Sequence, residues 1–446
     1  MVPSVLPSLL PVADVSTLVG ADTAWMLVAT ALVLLMTPGL AFFYGGLVRS
    51  KNALNTMMMS FAALGAVGLA WTLLGYSLAF GDGNGFVGGV GQAFLAGVGL
   101  EPKGTIPHLL FMAYQASFAI ITAALISGAI VERMRFGPYL AFITLWSLVV
   151  YAPICHWVWG GGWLSRLGAL DYAGGTVVHV NAAAAALAAV LALGPRRDYG
   201  RQALLPHNVP FVLLGAALLW FGWFGFNAGS ALGANGAAAL AFVNTLLAPA
   251  ATLVVWMAFD QARTGKITAV GAATAIVVGL VAVTPAAGFI GPISAIALGA
   301  VAALPSYFGI LRRSRTRLDD SLDVFAAHGL GGMTGALLTG VLAAAAWGGA
   351  SGLVEGNAKQ VGVQAIAVLA TLVYSAGASY ALMRLVGWAA ALGAEPKLQS
   401  RGLDIELHGE EAYSNGEGAI LVLPETRPEA EQPAPLPAPV PSPAGG

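Results

Sequence analysis

Hydrophobic residues form long uninterrupted stretches in this chain, and short polar segments separate them. A helix rises about 1.5 Å per residue, so about 20 apolar residues cross a hydrocarbon core of about 30 Å. The stretches that reach this length predict eleven transmembrane helices and an all-α polytopic membrane protein. They lie at 22–47, 54–80, 107–131, 137–159, 173–194, 208–231, 237–259, 267–287, 289–310, 324–346 and 361–391. A tight turn is expected between the eighth and ninth, at Pro285 and Gly288.

Basic residues are distributed unequally between the two sets of loops. Thirteen lie in the loops after stretches 1, 3, 5, 7 and 9, namely Arg49, Lys51, Arg133, Arg135, Arg196, Arg197, Arg201, Arg263, Lys266, Arg312, Arg313, Arg315 and Arg317. The opposite loops carry only Lys103, Arg166 and Lys359. Positive loops stay in the cytoplasm, so we expect an outside N-terminus and a cytoplasmic C-terminus.

The eleven stretches contain a five-plus-five inverted repeat. Stretches 1 and 6 are interrupted by glycines beside aromatic residues, and His179 and His328 lie early in stretches 5 and 10. Because stretches 5 and 10 enter from opposite faces, the two histidines can meet near the centre. In inverted repeats of this kind a transport site forms between the halves.

Composition agrees with a membrane protein and bounds its organisation. The chain is 58% hydrophobic and 9% charged, and its single cysteine, Cys155, excludes a disulfide framework and cysteine-cluster metal sites. We predict an extracytoplasmic N-terminal segment at 1–21, a transport domain at 22–391, a polar and charged cytoplasmic region at 392–422, to which the resemblance described below gives a regulatory role, and a disordered Pro/Ala-rich tail at 423–446, to which we assign no role. Residues 1–19 lack the basic start of a secretory signal, although an unusual cleaved signal stays an alternative.

His179 and His328 are the first candidates for a functional site. An ionisable side chain at membrane depth is costly and usually functional. Each follows an acidic residue, Asp171 in DYAGGTVVH and Asp323 in DVFAAHGLGG. Our first interpretation of both carboxylates is structural, because a carboxylate at a helix N-terminus accepts exposed N–H groups and favours the dipole. The alternative for Asp171 is stabilisation of a cation at the outer mouth without direct contact.

Aromatic residues at the outer ends of the stretches suggest a site for a small cation. Aromatic faces attract ammonium-type ions by about 0.5 to 2 kcal/mol. The candidates are Phe118, Trp159, Phe226 and Ser230. An aromatic belt at the membrane interface is the alternative, and we prefer it for Trp157 and Trp163. Below this mouth the stretches are apolar, so an intact ion would stall, whereas ammonium can leave its proton and cross as ammonia past two neutral histidines.

Several motifs resemble the Amt/Mep/Rh ammonium transporters, in particular their bacterial Amt branch. They are PGLAFFYGGLVRSKN, QASFAIITAALISGAIVERMRF, HWVWGGG, DYAGGTVVHVNAAAAALAA, HNVPFVLLGAALLWFGWFGFNAGSA, VTPAAGFIGP and DVFAAHGLGGMTGALLTG. The resemblance covers about residues 22 to 413 and implies the eleven-helix Amt fold as a homotrimer with one pore per subunit. Ser230 argues against the Rh branch, and QASFA replaces the QGTFA common in bacterial relatives.

The resemblance also implies roles for residues of the mouth and pore. Trp159, Phe118 and Ser230 would bind ammonium, Phe118 and Phe226 would stack as a gate, and Asp171 would support recruitment and deprotonation. The remaining positions would line the pore or its entrance: His179, His328, Trp223 and Thr284.

The segment RGLDIELHGEEAY resembles the C-terminal regulatory motif of the family. The matching residues are Gly402, Asp404, His408, Gly409 and Tyr413. The resemblance implies contacts with neighbouring subunits and a trimeric PII-type signalling protein on the cytoplasmic exits, so that nitrogen status regulates transport.

The sequence therefore predicts a transporter, not an enzyme, in a bacterial cytoplasmic membrane, with no cofactor and no nucleic acid partner. Its substrate would be ammonium, with methylammonium as an analogue, and uptake would be electrogenic with a separate proton route. Three alternatives stay open: a passive ammonia channel, an ammonium sensor, and a membrane metalloenzyme using the histidines and Asp171, for which no HExxH spacing is present.

Overall fold

The computed structural model describes residues 17–413. The predicted tail at 423–446, most of the N-terminal segment and the end of the regulatory region lie outside the described residues.

The described chain is built almost entirely from helices in the order of the predicted stretches. These are α1 Gly20–Leu47, α2 Ser50–Phe80, α3 His108–Ile130, α4 Phe136–Leu167, α5 Gly175–Leu193, α6 Val209–Gly229, α7 Gly236–Thr264, α8 Ala269–Val283, α9 Pro292–Arg313, α10 Phe325–Leu342, α11 Ala358–Ala389, α12 Pro396–Arg401 and α13 Leu403–His408. Between α2 and α3 a short antiparallel pair joins β1 Pro102–Lys103 to β2 Ile106–Pro107. Single helical turns lie at Ala93–Leu95, Ala345–Gly348 and Leu353–Glu355.

The all-α polytopic fold predicted from the sequence is confirmed. Within residues 17–413, ten helices are long and apolar enough to cross a membrane. The eighth predicted stretch holds the shorter α8, which has 15 residues. A turn follows it at Pro285 to Phe289, and Gly288 packs there so closely on Tyr172 that an added Cβ would lie 2.0 Å from its ring.

Glycines allow α1 and α6 to cross in direct contact. A Cβ at Gly215 would lie 2.3 Å from the Phe43 nitrogen, and one at Gly222 would lie 2.3 Å from Met36. Lipid provides no hydrophobic drive for association between membrane helices, so their association depends on close packing, and small residues make that packing possible. Because α1 and α6 are equivalent helices of the two halves, this contact joins the repeats at their centre.

A buried ion-pair network fastens the loops on the side rich in basic residues. Glu132 pairs with Arg49 at 2.9 Å and with Arg196 at 2.6 Å, and Arg196 also binds Asp319 at 2.7 Å. Burial alone would raise the pKa of Glu132, but these two arginines lower it to about 2. The loops after α1, α3, α5 and α9 are therefore held as one rigid layer around the inner pore exit.

Candidate functional site

His179 and His328 lie side by side in the centre of the bundle. Their rings stack with centroids 5.3 Å apart, and the two Nδ1 atoms are 3.2 Å apart. Both side chains are buried. Since one nitrogen must donate and the other accept, a single proton lies between them. The histidines from the two halves thus form one pair, approached by α5 from one face and α10 from the other.

The helix that carries His179 begins with a wide π turn at Gly175–Val180. The carboxylate of Asp171 accepts four backbone N–H groups at 2.6 to 3.0 Å, from Gly174, Gly175, Thr176 and Val177. A helix start leaves four N–H groups without partners, and this single carboxylate satisfies all four. Our structural interpretation of Asp171 therefore agrees with the geometry.

The same interpretation was wrong for Asp323. Its carboxylate pairs with Arg313 at 2.6 Å, outside the helix start. Asp320 accepts the N–H groups of Val324 and Phe325 at 3.1 and 2.7 Å and opens the second π turn, Phe325–Leu330. Asp320 precedes His328 by eight residues, as Asp171 precedes His179. That spacing was the signal in the sequence that would have identified Asp320.

An aromatic column leads from the outer surface to the histidines. Phe118 stacks on Phe226 with centroids 4.2 Å apart, and Trp159 meets the edge of Phe118 at 5.9 Å. Phe226 lies 6.0 Å from His179. The indole nitrogen of Trp159 donates to the main-chain oxygen of Asp171 at 2.8 Å. The two phenyl rings are buried and stacked between Trp159 and His179.

Tyr114 also belongs to this outer cluster, although the sequence analysis missed it. Its ring lies 4.9 Å from Phe118, and its hydroxyl lies 3.3 Å from the Ser230 hydroxyl. The hydroxyl also donates to the carbonyl of Phe226 at 2.9 Å. Tyr114 precedes Phe118 by four residues, which places both on one face of α3. This helical spacing could have identified it.

The lumen next to the histidines is narrow and apolar. Its volume of about 10 Å³ is close to that of a single water site, and its walls include Ile121, Leu125, Val178 and Leu219. Trp223 stacks on His179 with centroids 5.4 Å apart and donates to Thr284 at 2.9 Å. Trp223 therefore lies in ring contact with His179 and lines this cavity, whereas Thr284 does not line it and is joined to it through the hydrogen bond from Trp223.

A wider vestibule opens beyond His328, on the side of the basic loops. It has a volume of about 210 Å³, and His328, Tyr44, Asp323 and Arg313 lie in its wall. His328 therefore contacts both the closed lumen and the open vestibule.

The predicted regulatory motif packs against the start of α2. Gly402 has φ 115°, and a Cβ there would lie 2.5 Å from the Lys51 carbonyl, so only glycine fits. The Asp404 carboxylate accepts the N–H groups of Leu54 and Asn55 at 3.0 and 2.7 Å. Burial raises the pKa of Asp404 to about 6, although these N–H groups act against the rise.

The end of the motif is also fixed. His408 contacts the Asn55 side chain at 3.0 Å, and Gly409 ends α13 with φ 69°. The Tyr413 hydroxyl lies 2.9 Å from His207, on the loop before α6. The five predicted residues thus attach the last described segment to two loops at the pore exit.

The fold and site define a class of protein: a polytopic helical membrane transporter with a closed aromatic mouth and a histidine-lined apolar lumen. The sequence profile of the Ammonium Transporter Family matches residues 24–413. The chain belongs to this family, and its class of function is ammonium transport.

Individual relatives agree with this assignment. The ammonium transporter of Aquifex aeolicus is 50% identical over 398 residues, covering 88% of this chain and 93% of the relative. The ammonium transporter of Bacillus subtilis is 45% identical, covering 88% of this chain and 98% of the relative. The crystal structure of Saccharomyces cerevisiae Mep2 superposes with a TM-score of 0.79 at 37% identity over 84% of this chain and 87% of that chain. A structure described as Sensor Amt Protein superposes with a TM-score of 0.82 at 30% identity, over 87% of this chain and 98% of that chain.

Proposed function

We propose that the protein takes up ammonium electrogenically by separating the cation into ammonia and a proton. Trp159, Phe118 and Ser230 recruit ammonium at the outer mouth, ammonia passes the histidine pair, and the proton follows a separate route. The observation that carries this proposal is the His179 and His328 pair beside an apolar lumen of one-water size.

The lumen favours a neutral molecule over an ion. Transfer of a bare ion into a medium of low dielectric costs on the order of 20 kcal/mol in the idealised limit. The paired histidines offer an ammonia molecule hydrogen-bonding atoms without adding charge. His179 Nε2 supports this role, because it has no hydrogen-bond partner among residues 17–413 and is free to contact a passing molecule.

The outer mouth favours a cation. Ring faces of Trp159 and Phe118 and the hydroxyl of Ser230 provide attraction without a carboxylate in direct contact. The carboxylate of Asp171 is occupied by four backbone N–H groups, so it acts on the cation through its charge. Phe118 and Phe226 then have to separate for each passage, which makes them the gate.

We further propose the assembly and placement that the family resemblance implies. The protein forms a homotrimer in a bacterial cytoplasmic membrane, with the N-terminus outside and the C-terminus in the cytoplasm, and transports methylammonium as an analogue. A PII-type signalling protein binds at the cytoplasmic exits. Support comes from the motif at Gly402 to Tyr413, which contacts the loops next to the vestibule.

The test is the ammonium-induced current of proteoliposomes on a solid-supported membrane, for wild type, His179→Ala, His328→Ala and Asp171→Ala. We expect a current in wild type, its loss in Asp171→Ala, and entry of potassium in the histidine variants, since each widens the apolar lumen. If both histidine variants still excluded potassium, the role given to the pair would be wrong.

The same measurement separates the alternatives. Ammonia flux without charge movement in wild type would identify a passive channel. A variant lacking residues 401–446 that transports normally but no longer supports a cellular nitrogen response would favour a sensor.

A further inference from the structure

Gln364 is a buried polar residue of α11 that lies next to the outer site without belonging to it. Its side chain is 1% exposed. The Oε1 atom accepts the N–H of Leu170 at 2.8 Å, and Nε2 donates to the Leu170 carbonyl at 2.7 Å. The side-chain amide therefore binds both the backbone N–H and the backbone carbonyl of Leu170, as a neighbouring β-strand would. Nε2 also donates to the Ala336 carbonyl at 3.0 Å.

These bonds lead directly to the residues of the mouth. Leu170 immediately precedes Asp171, whose carboxylate holds the start of α5 and whose carbonyl accepts the indole N–H of Trp159 at 2.8 Å. Ala336 lies on α10, the helix that carries His328. A single amide thus ties the loop of the first half to a helix of the second half.

The position of Gln364 is itself fixed by packing. A Cβ on Gly340 would lie 2.9 Å from Gln364 Cγ, so the side chain fills the space against α10. If an apolar side chain replaced the amide, the N–H and carbonyl of Leu170 would lose their partners in a partly buried place. Unsatisfied buried polar groups are unfavourable, so the loop would move until water reached them.

We propose that Gln364 is a positioning residue that sets the Trp159 ring and the Asp171 loop for cation recognition; this inference rests on the function proposed above. Gln364 touches neither the substrate path nor the histidines. Its loss therefore weakens recognition of the cation at the mouth and leaves passage through the lumen unchanged.

Gln360 provides a matched control one helical turn earlier. Its Nε2 donates to the Gly168 carbonyl at 2.9 Å, at the more exposed end of the same loop. It makes no hydrogen bond to Leu170, and its second contact, from Nε2 to the Gln364 Oε1 atom at 3.4 Å, is long beside the 2.8 Å bond that Leu170 donates to the same atom. Gln360→Met and Gln364→Met thus make the same chemical change on the same helix.

The experiment is concentration-dependent uptake of labelled methylammonium by full-length protein in proteoliposomes. We expect Gln364→Met to raise KM about tenfold, the equivalent of one lost strong hydrogen bond, with the maximal rate within about twofold of wild type. Gln360→Met should keep the wild-type KM.

A double variant combines Gln364→Met with Trp159→Phe, which removes the indole N–H. The increase in its KM should be smaller than the product of the increases in the two single variants, because both changes act on one loop. If Gln364→Met does not assemble, Gln364→Glu serves instead, since it keeps the acceptor and loses both donors.

Failure of the inference is distinguishable from failure of the proposed function. If Asp171→Ala and Trp159→Leu impair uptake but the KM of the Gln364 variant equals that of wild type, the positioning role is refuted alone. A lowered maximal rate with unchanged KM, or multiplicative effects in the double variant, would also refute it. Normal uptake by Asp171→Ala and Trp159→Leu would instead refute the function proposed for the mouth.

Discussion

The two histidine segments are built alike but lie in different electrostatic surroundings. Each has an aspartate eight residues before its histidine that holds a π turn, Asp171 in the first half and Asp320 in the second. Asp320 lies near Arg313 and Arg133, and Asp323 beside it pairs with Arg313. Among residues 17–413, no basic side chain pairs with Asp171, whose partners are backbone N–H groups.

This difference explains how a symmetric fold can have an asymmetric function. In the function proposed above, the carboxylate of Asp171 without a basic partner would attract a cation to the mouth, where low dielectric strengthens the interaction. Arginines lie beside the carboxylates of Asp320 and Asp323 in the second half, so the same proposal gives the vestibule no attraction for a cation. We therefore propose that the aspartate of the first half recruits the cation and that the aspartate of the second half only supports its helix.

The largest effect is expected from Asp171→Ala. The change removes the carboxylate that accepts four backbone N–H groups. Charge-assisted hydrogen bonds contribute about 1.5 to 3 kcal/mol each. We expect a loss of transport of about a thousandfold, equivalent to about 4 kcal/mol, measured as methylammonium uptake. Asp22→Ala, at another helix start on the outer side, serves as the control and should transport normally.

Glu132→Gln tests whether ion pairs hold the inner half. The change leaves Arg49 paired with Asp198 and Arg196 paired with Asp319, but it removes the buried carboxylate that joins the two arginines. Breaking a buried ion pair costs about 3 to 5 kcal/mol. We expect a lower melting temperature in detergent, with KM unchanged in the molecules that remain folded. Because the pKa of Glu132 is lowered from 4.5 to about 2, its contribution is present above pH 4.5 and disappears as the pH falls towards 2. A melting temperature equal to that of wild type at pH 7 would contradict this role of the network.

A comparison of Asp320→Asn with Asp171→Asn separates the helix-capping role of these aspartates from the effect of their negative charge. The amide keeps one acceptor for the two N–H groups at Val324 and Phe325, and loss of a helix cap costs about 0.5 to 2 kcal/mol. We expect uptake to fall about tenfold in Asp320→Asn and much further in Asp171→Asn. Equal losses would show that both aspartates act only as helix caps, and the electrostatic comparison would then fail.

Asp323→Asn should have the smallest effect. It leaves the Arg313 charge uncompensated in the vestibule wall, but both side chains are partly exposed, and such pairs contribute about 0 to 1 kcal/mol. We expect a two- to threefold slower maximal rate that recovers at high salt, where screening is strong. The double variant with Arg313→Gln should transport at the wild-type rate. A slow double variant would show that the pair acts through local structure.

Much of the site could be predicted from the sequence, because long apolar stretches mark the membrane helices and an ionisable residue within such a stretch is easily recognised. His179, His328 and the aromatic residues of the mouth were identified from burial cost and family motifs. The sequence analysis named Asp323, the acidic residue nearest to His328, and did not consider Asp320. The backbone path decides which carboxylate reaches the N–H groups. Tyr114 and Gln364 were missed because a polar residue in an apolar helix does not show its partner in sequence.

The sequence by itself determined the apolar helices, the predicted orientation from its basic loops, and the two histidines at matching places in two halves, since each depends on local composition and spacing. Only the tertiary structure decided that the histidine rings share one hydrogen bond and that Phe118 stacks on Phe226. It also decided that arginines lie beside the carboxylates of Asp320 and Asp323, whereas Asp171 binds only backbone N–H groups. These features depend on distances between residues far apart in the chain, which are set by how closely the glycine-lined helices pack.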